Sequence, residues 1–372
     1  MRFISLTKSF KRFICVGIIF FSFVVSAQAQ ITGPVISSFS PLTGDAGETV
    51  IITGNNFNTT ASNNIVFFGA TKATVSAATG TSLTATVPAG ATYGPLTLVD
   101  LSVNNTINSK KFFTPTFSPS KEVLTAADFS AEQEFSTNQT EPNNIAATGD
   151  LDGDGKPDII ISDGSGASEM LILRNTGGNG TAGFETALTI NTGGYNTSLT
   201  VGDIDADGKL DIVEVNYSNN SDVKVYLNTT AAVGSISFAG PINLTTGAAN
   251  YKLRNVAISD LNGDGKADIA VVDNSGSVLL FRNTGSVGVV GFDTKVVLDA
   301  GTGPQGIRIG DIDSDGLPDL AITNADGGGT SVRVLRNTST SGTFSFVNSG
   351  NFTTGGGPYD LALGDLDSDG EL

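Results

Sequence analysis

The chain has 372 residues, enough for two or three domains with ample cores. It carries 37 Asp and Glu against 20 Lys and Arg, with no His, no Trp and one Cys, Cys15. This balance speaks against nucleic acid and anionic membranes, and the missing residue types exclude Ser-His-Asp triads, cysteine nucleophiles, His- or Cys-built zinc sites, iron–sulfur clusters and disulfides.

Residues 1–29 read as a secretory signal. Arg2, Lys8, Lys11 and Arg12 precede an apolar run of 12 residues, Ile14 to Val25, and Ala27-Gln28-Ala29 places small residues at −3 and −1 of a cut before Gln30. Twelve residues fall short of the ~20 that span a bilayer. The mature chain is therefore expected outside the cytoplasm, secreted or at the cell surface, without membrane insertion. Losing the four basic residues takes its formal charge from −17 to −21. Free calcium there is roughly millimolar, in the affinity range of extracellular calcium modules.

Residues 30–115 are predicted to form a β-sandwich. The runs at 49–53, 64–68, 82–87 and 95–99 alternate in polarity and are separated by Gly, Asn and Pro. Pro34-Val-Ile-Ser-Ser-Phe-Ser-Pro41, Gly47-Glu-Thr-Val-Ile-Ile-Thr-Gly54, Val66-Phe-Phe-Gly69 and Val87-Pro88 resemble the IPT/TIG immunoglobulin-like domain. Lacking a Cys pair and a core Trp, this module is expected to fill its core with Phe and Val. The resemblance implies a spacer or binding module. Residues 116–128 read as a linker.

From residue 129 a repeat takes over. Five segments share one pattern: Asp150, Asp152, Asp154, Lys156, Asp158; Asp203, Asp205, Asp207, Lys209, Asp211; Asp260, Asn262, Asp264, Lys266, Asp268; Asp311, Asp313, Asp315, Leu317, Asp319; and Asp365, Asp367, Asp369, Glu371. Their starts lie 53, 57, 51 and 54 residues apart. Phe184, Phe238, Phe292 and Phe346 recur every 54 residues, in step with the Asn-Thr pairs after Arg174, Arg282 and Arg336 and with Asn228-Thr-Thr.

The loop pattern points to calcium. Oxygens at positions 1, 3 and 5 converge when the chain curls, and Gly at position 6 allows the sharp turn that brings in the carbonyl of position 7 and the carboxylate of position 9. Only hard oxygen donors are offered, which favours Ca²⁺ over Zn²⁺, Cu²⁺ or Mg²⁺. Position 7 varies from Lys to Leu to Glu, as expected if its side chain is irrelevant. The Leu or Ile at position 2 is expected to pin each loop to the core. The Gly, Ala or Ser at position 4 suggests no room for bulk. Eighteen of the 37 acidic residues are aspartates in these loops, so the chain's acidity is largely candidate ligand. An EF-hand is excluded because position 12 is Ile161, Val271 or Ile322 and strands, not helices, flank the loops; Glu214 at that position of the second loop reads as chance.

Within each period four strands are predicted: one after the Phe, one entering the loop, one leaving it and one before Arg-Asn-Thr. Four antiparallel strands per repeat make a propeller blade. Residues 129–372 resemble the FG-GAP/VCBS repeat, the calcium-bearing propeller repeat also found in integrin α-chain heads, with four complete blades and a fifth cut short at Leu372. The fold class is thus all-β: an immunoglobulin-like β-sandwich followed by an incomplete β-propeller of four-stranded blades, a fragment of a longer chain.

The resulting expectation is a secreted or cell-surface, calcium-binding adhesion or binding protein, not an enzyme, whose partner is an extracellular protein or glycan. The alternative is the targeting part of a secreted hydrolase or lyase with its catalytic domain beyond residue 372. Glu141, Glu169, Glu185 and Glu214 are the scattered carboxylates such chemistry would need within this chain.

Overall fold

The computed structural model describes residues 33–103, 105–116, 134–135, 142–163, 168–178, 181–217, 222–247, 252–325, 328–364 and 372. The leader, all but Thr116 of the linker 116–128, Glu141 and the fifth loop with Asp365, Asp367, Asp369 and Glu371 lie outside those residues. The described chain is all-β apart from a 3-10 turn at Ala61–Asn63 and 3-10 backbone at Gly328.

The N-terminal module contains β1 (Val35–Ser40), β2 (Thr43–Gly44), β3 (Thr49–Asn55), β4 (Asn64–Phe68), β5 (Thr71–Ala78), β6 (Ser82–Thr86), β7 (Gly94–Asp100) and β8 (Asn105–Pro115). Their hydrogen-bonded order is β1-β3-β6-β5-β4-β7-β8-β2, a nearly closed sheet in which β5 pairs with both β6 and β4. Alternation along β3 buries Val50 and Ile52 completely and leaves Ile51 exposed. Phenylalanines fill the centre as expected: Phe39, Phe57, Phe68 and Phe113 share one core, with Phe68 and Phe113 edge to face at 4.8 Å. Strands β5 and β8 escaped the sequence reading because small and basic residues interrupt their apolar alternation.

Among the described residues, four four-stranded antiparallel sheets follow. The first comprises β9 (Pro142–Gly149), β10 (Asp158–Asp163), β11 (Glu169–Asn175) and β12 (Phe184–Asn191). The second holds β13 (Asn196–Gly202), β14 (Asp211–Asn216), β15 (Asp222–Tyr226) and β16 (Ile242–Thr245). Next come β17 (Leu253–Ser259), β18 (Asp268–Asp273), β19 (Ser277–Phe281) and β20 (Val296–Asp299), then β21 (Pro304–Gly310), β22 (Asp319–Asn324), β23 (Ser331–Asn337) and β24 (Phe346–Thr353). Consecutive first strands adjoin one another, β9 to β13 to β17 to β21, and all four line a shared open groove at Ala147, Leu199, Val256 and Ile307.

The blade frame differs from the expected one. The strand after each Phe does not begin the next blade; it closes the previous one, pairing with the strand that leads into the Asn-Thr pair. Phe184, Phe238, Phe292 and Phe346 lie directly opposite Asn175, Asn228, Asn283 and Asn337, so the two recurring signals face each other across one hairpin. Short connections favour hairpin partners, and here only about ten residues separate each Asn from its Phe.

Second strands are the core of each blade: β14, β18 and β22 are buried along their whole length. Successive side chains of a strand point to opposite faces. Ile269 and Val271 of β18 therefore pack towards the second blade, and Ala270 and Val272 towards the fourth. On β14, Ile212 joins the cluster shared with the first blade while Val213 and Val215 join the one shared with the third.

Glu214 shares the Ile212 face and is fully buried. Its Oε2 accepts the Tyr226 hydroxyl proton at 3.1 Å, its Oε1 has no partner, and Lys224 lies across the strand pair. Burial pushes its carboxyl up to about 7, against the opposing pull of Lys224 and Tyr226. The position-12 glutamate is thus a buried blade residue. A carboxyl raised in the folded chain favours folding fully below its ordinary value near 4.5, and that contribution fades as pH rises towards 7. Glu214→Gln should match the wild type near pH 5 and exceed its stability by roughly 1–3 kcal/mol at pH 8. Melting curves across that range test this; parallel curves would show that Glu214 is not protonated in the fold.

Candidate metal centres

Each of the four described loops joins the first strand of a blade to the second, and its last residue opens that second strand. This closing aspartate is fixed at both oxygens. In Asp158, Asp211, Asp268 and Asp319, Oδ2 accepts the N–H of position 2 (Leu151, Ile204, Leu261, Ile312) at 2.8–3.0 Å. Oδ1 accepts the N–H of Asn175, Asn228, Asn283 or Asn337 at 2.7–2.8 Å. Leu151, Ile204 and Leu261 are buried in the clusters between blades, as position 2 requires.

Glycine at position 6 takes φ of 85°, 85°, 84° and 95° at Gly155, Gly208, Gly265 and Gly316. Position 4 is also left-handed: Gly153, Ala206, Gly263 and Ser314 have φ of 75°, 54°, 69° and 61°. This corrects the expected reason for small residues there. A Cβ on Gly153 or Gly263 would meet nothing within 4 Å, so in the first and third loops backbone conformation, not crowding, restricts the position.

Among the described residues, three loops bring carboxylates together. Asp150, Asp152 and Asp158 form one group, Asp203, Asp205 and Asp211 a second, and Asp311, Asp313 and Asp315 a third, each with oxygens within 4.8 Å of one another. Burial pushes Asp150 and Asp158 up to about 6, Asp203 to about 7 and Asp211 to about 8, with the neighbouring aspartates adding to the rise and backbone N–H donors opposing it. Asp150 is 4% exposed, and its Oδ1 has no hydrogen-bond partner; the Oδ1 of Asp311 is likewise buried and unpartnered. An oxygen-only donor set with orphaned carboxylate oxygens fits a hard divalent cation. The third loop, with Asn262 between Asp260 and Asp264, forms no such group among the described residues.

Positions 5 and 7 depart from expectation. Asp154 and Asp207 stand outside the tight groups, and Lys156 and Lys209 bind them through Nζ at 3.2 Å and 2.8 Å. The position-7 side chain is therefore not indifferent in the first two loops. The N–H groups of Lys156, Lys209, Lys266 and Leu317 donate to the position-5 carboxylates, tightening each turn. The recurring arginine had no role assigned from sequence. Arg174 reaches Asp152 at 3.5 Å, and Arg336 lies 3.6 Å and 3.7 Å from Asp313 and Asp315, so guanidinium groups offset part of the loop charge.

The recurring asparagine joins blades. Nδ2 of Asn228 donates to its own loop at Leu210 O (3.0 Å) and to the preceding blade's loop at Leu151 O (2.9 Å). Asn283 does the same with Ala267 and Ile204, and Asn337 with Pro318 and Leu261. A glycine in each following hairpin reaches back as well: Gly234 N–H donates to Asp152 Oδ2 at 2.8 Å, Gly288 to the Asp205 carbonyl at 3.0 Å and Gly342 to Asn262 Oδ1 at 2.9 Å.

The N-terminal sandwich, expected as a spacer, packs against the same loops. Asp150 N–H donates to Ala70 O at 3.0 Å, and Thr106 N–H donates to Gly265 O. Ile65, Phe67 and Val99 share a core with Leu151, Ala206 and Leu210. A Cβ on Gly208 would approach Ile65, one on Gly265 would collide with Asn105, and one on Gly316 would meet Lys110.

Ser314 is an exposed non-glycine residue at φ 61°, so Ser314→Gly should raise stability by about 1 kcal/mol, read as a higher melting temperature. An unchanged or lower melting temperature would contradict the role given to position 4. Asn283→Ala strands two backbone carbonyls in different blades and should cost about 3 kcal/mol. Asn175→Ala, whose Nδ2 contact is to Pro157 of its own loop, should cost clearly less. Equal losses in urea denaturation would refute the bridging role.

Residues 34–118 match the IPT/TIG domain, and residues 150–214, 260–322 and 311–372 match the FG-GAP-like repeat. No curated protein matches the chain. Among solved structures, a structural genomics protein of unknown function from Bacteroides thetaiotaomicron VPI-5482 is similar at 14% identity, covering 88% of this chain and 92% of its own, with a TM-score of 0.29. An auxiliary nutrient binding protein from the same organism shows 13% identity over 88% and 92% at a TM-score of 0.31. Another auxiliary nutrient binding protein, from Bacteroides ovatus ATCC 8483, shows 12% over 89% and 93% at 0.31. No helix among the described residues is long and apolar enough to cross a membrane. The chain carries an IPT/TIG domain followed by FG-GAP-like repeats.

Proposed function

We propose that this chain is a secreted or cell-surface binding module whose repeats are held by calcium. The observation that carries the reading is the first loop, where three buried carboxylates converge and Asp150 Oδ1 is left without a protein partner. In the first and second loops the ligating oxygens would come from positions 1, 3 and 9; in the fourth loop they would come from positions 1, 3 and 5. Bound calcium would supply positive charge that offsets carboxylates crowded together in a setting of low polarity. Both domain types are typical of extracellular binding proteins, and the N-terminal leader supports export.

Binding is favoured over catalysis by the fate of the scattered glutamates. Two of the four are engaged elsewhere: Glu185 is tied to Arg174 at 2.8 Å and Glu214 is buried against Tyr226. An extracellular protein or glycan is the partner class this reading assigns; a formal charge of −17 argues against nucleic acid.

Calcium that binds the folded loops and hardly binds the unfolded chain stabilises by mass action. Moving from chelator to a few millimolar Ca²⁺ should raise the melting temperature by several degrees, and the same concentration of Mg²⁺ should raise it less. A melting temperature indifferent to calcium would sink the assignment.

A further inference from the structure

The third loop has Asn262 where the others have Asp152, Asp205 and Asp313. Asn262 is fully buried. Its Nδ2 donates to Asp268 Oδ2 at 2.9 Å, and its Oδ1 accepts the N–H of Gly342, from the hairpin of the fourth blade, at 2.9 Å. Only one amide orientation satisfies both partners, because the flipped group would turn its oxygen to a carboxylate and its NH₂ to an N–H.

The first position of this loop is also satisfied within the protein. Asp260 Oδ1 accepts from Gly263 and Asp264 at 2.8 Å and 3.2 Å, and Oδ2 accepts from Gly265 at 2.7 Å. In the first and fourth loops the matching Oδ2 accepts from Gly155 or Gly316, and Oδ1 has no partner. The second loop has both Asp203 oxygens met, yet its three carboxylates still converge.

We infer that the third loop takes no cation: the Asn262 carboxamide donates to Asp268 from within the loop where the other loops present a third-position carboxylate, and its other end latches the third blade to the fourth. The inference rests on the calcium reading of the remaining loops. An asparagine oxygen can ligate calcium, but here that oxygen is turned to Gly342 and the amide nitrogen faces the closing carboxylate. The junction of the third and fourth blades would then stay latched when calcium is withdrawn, while the loops with three convergent carboxylates lose their counter-charge.

The experiment is calcium stoichiometry by equilibrium dialysis on the full chain at saturating ⁴⁵Ca²⁺, with circular dichroism confirming that each variant is folded. Asp150→Asn should bind one ion fewer than the wild type, Asp260→Asn the same number, and Asn262→Asp one more. A loss at both Asp150→Asn and Asp260→Asn would overturn the inference while upholding calcium in the first loop. No gain at Asn262→Asp would also overturn it, and because that variant adds a carboxylate it decides the matter even if Asp260→Asn fails to fold. No loss in folded Asp150→Asn would instead sink the calcium reading itself, and the inference with it.

Discussion

A carboxylate removed from water needs partners for both of its oxygens, and the closing aspartate of each described loop meets that demand in one repeated way. One oxygen takes the N–H at the start of its own loop, and the other takes the N–H of the asparagine at or just beyond the end of the third strand. The loop, the second strand and the third strand are thereby fixed to one another by a single side chain. Asparagine at this position would set an NH₂ group against a backbone N–H, and glutamate would overreach by one methylene. Bonds from a charged acceptor are also about twice as strong as neutral ones.

From that joint the order passes between blades. The asparagine held by the closing aspartate turns its amide to the loop of the blade before it, and the glycine of the next hairpin reaches back to the third loop position. Apolar side chains from alternate positions of the second strands fill the space between these polar contacts. The loops therefore lie at the seams of the repeat array, where the charge of one blade and the backbone of the next share a desolvated region. A cation bound there would act on the seam as much as on the loop.

The same region explains the arginines and lysines that accompany the loops. Lys209 holds Asp207 outside the convergent group, and Arg174 approaches Asp152 from the hairpin side. Such groups lower the repulsion between carboxylates without entering the cluster. The N-terminal sandwich lies against Gly208, Gly265 and Gly316, position-6 glycines whose missing side chains let its strands approach closely.

Much of this was legible in the residues. The loop pattern, its period, the turn at position 6 and the core role of position 2 follow from chemistry local to nine residues, because ligand spacing and backbone handedness are set by the nearest neighbours in the chain. The phenylalanine core of the sandwich follows equally from composition, since no Trp or disulfide was available to fill it. The blade frame did not follow: Phe292 and Arg282-Asn-Thr were visible as repeating signals, but which strand pairs with which depends on hairpin geometry rather than on the signals themselves. The left-handed conformation of Ser314 was hidden behind its small size. Asn228 was visible only as a recurring residue, because its partner in the preceding blade, Leu151, is brought to it by the stacking of blades. The seating of the sandwich on the loops was likewise decided in three dimensions, where Asn105 and Thr106 meet Gly265 across a separation in sequence that no local pattern spans. Hydrogen bonds between distant segments leave no period in either one, so tertiary packing alone could decide them.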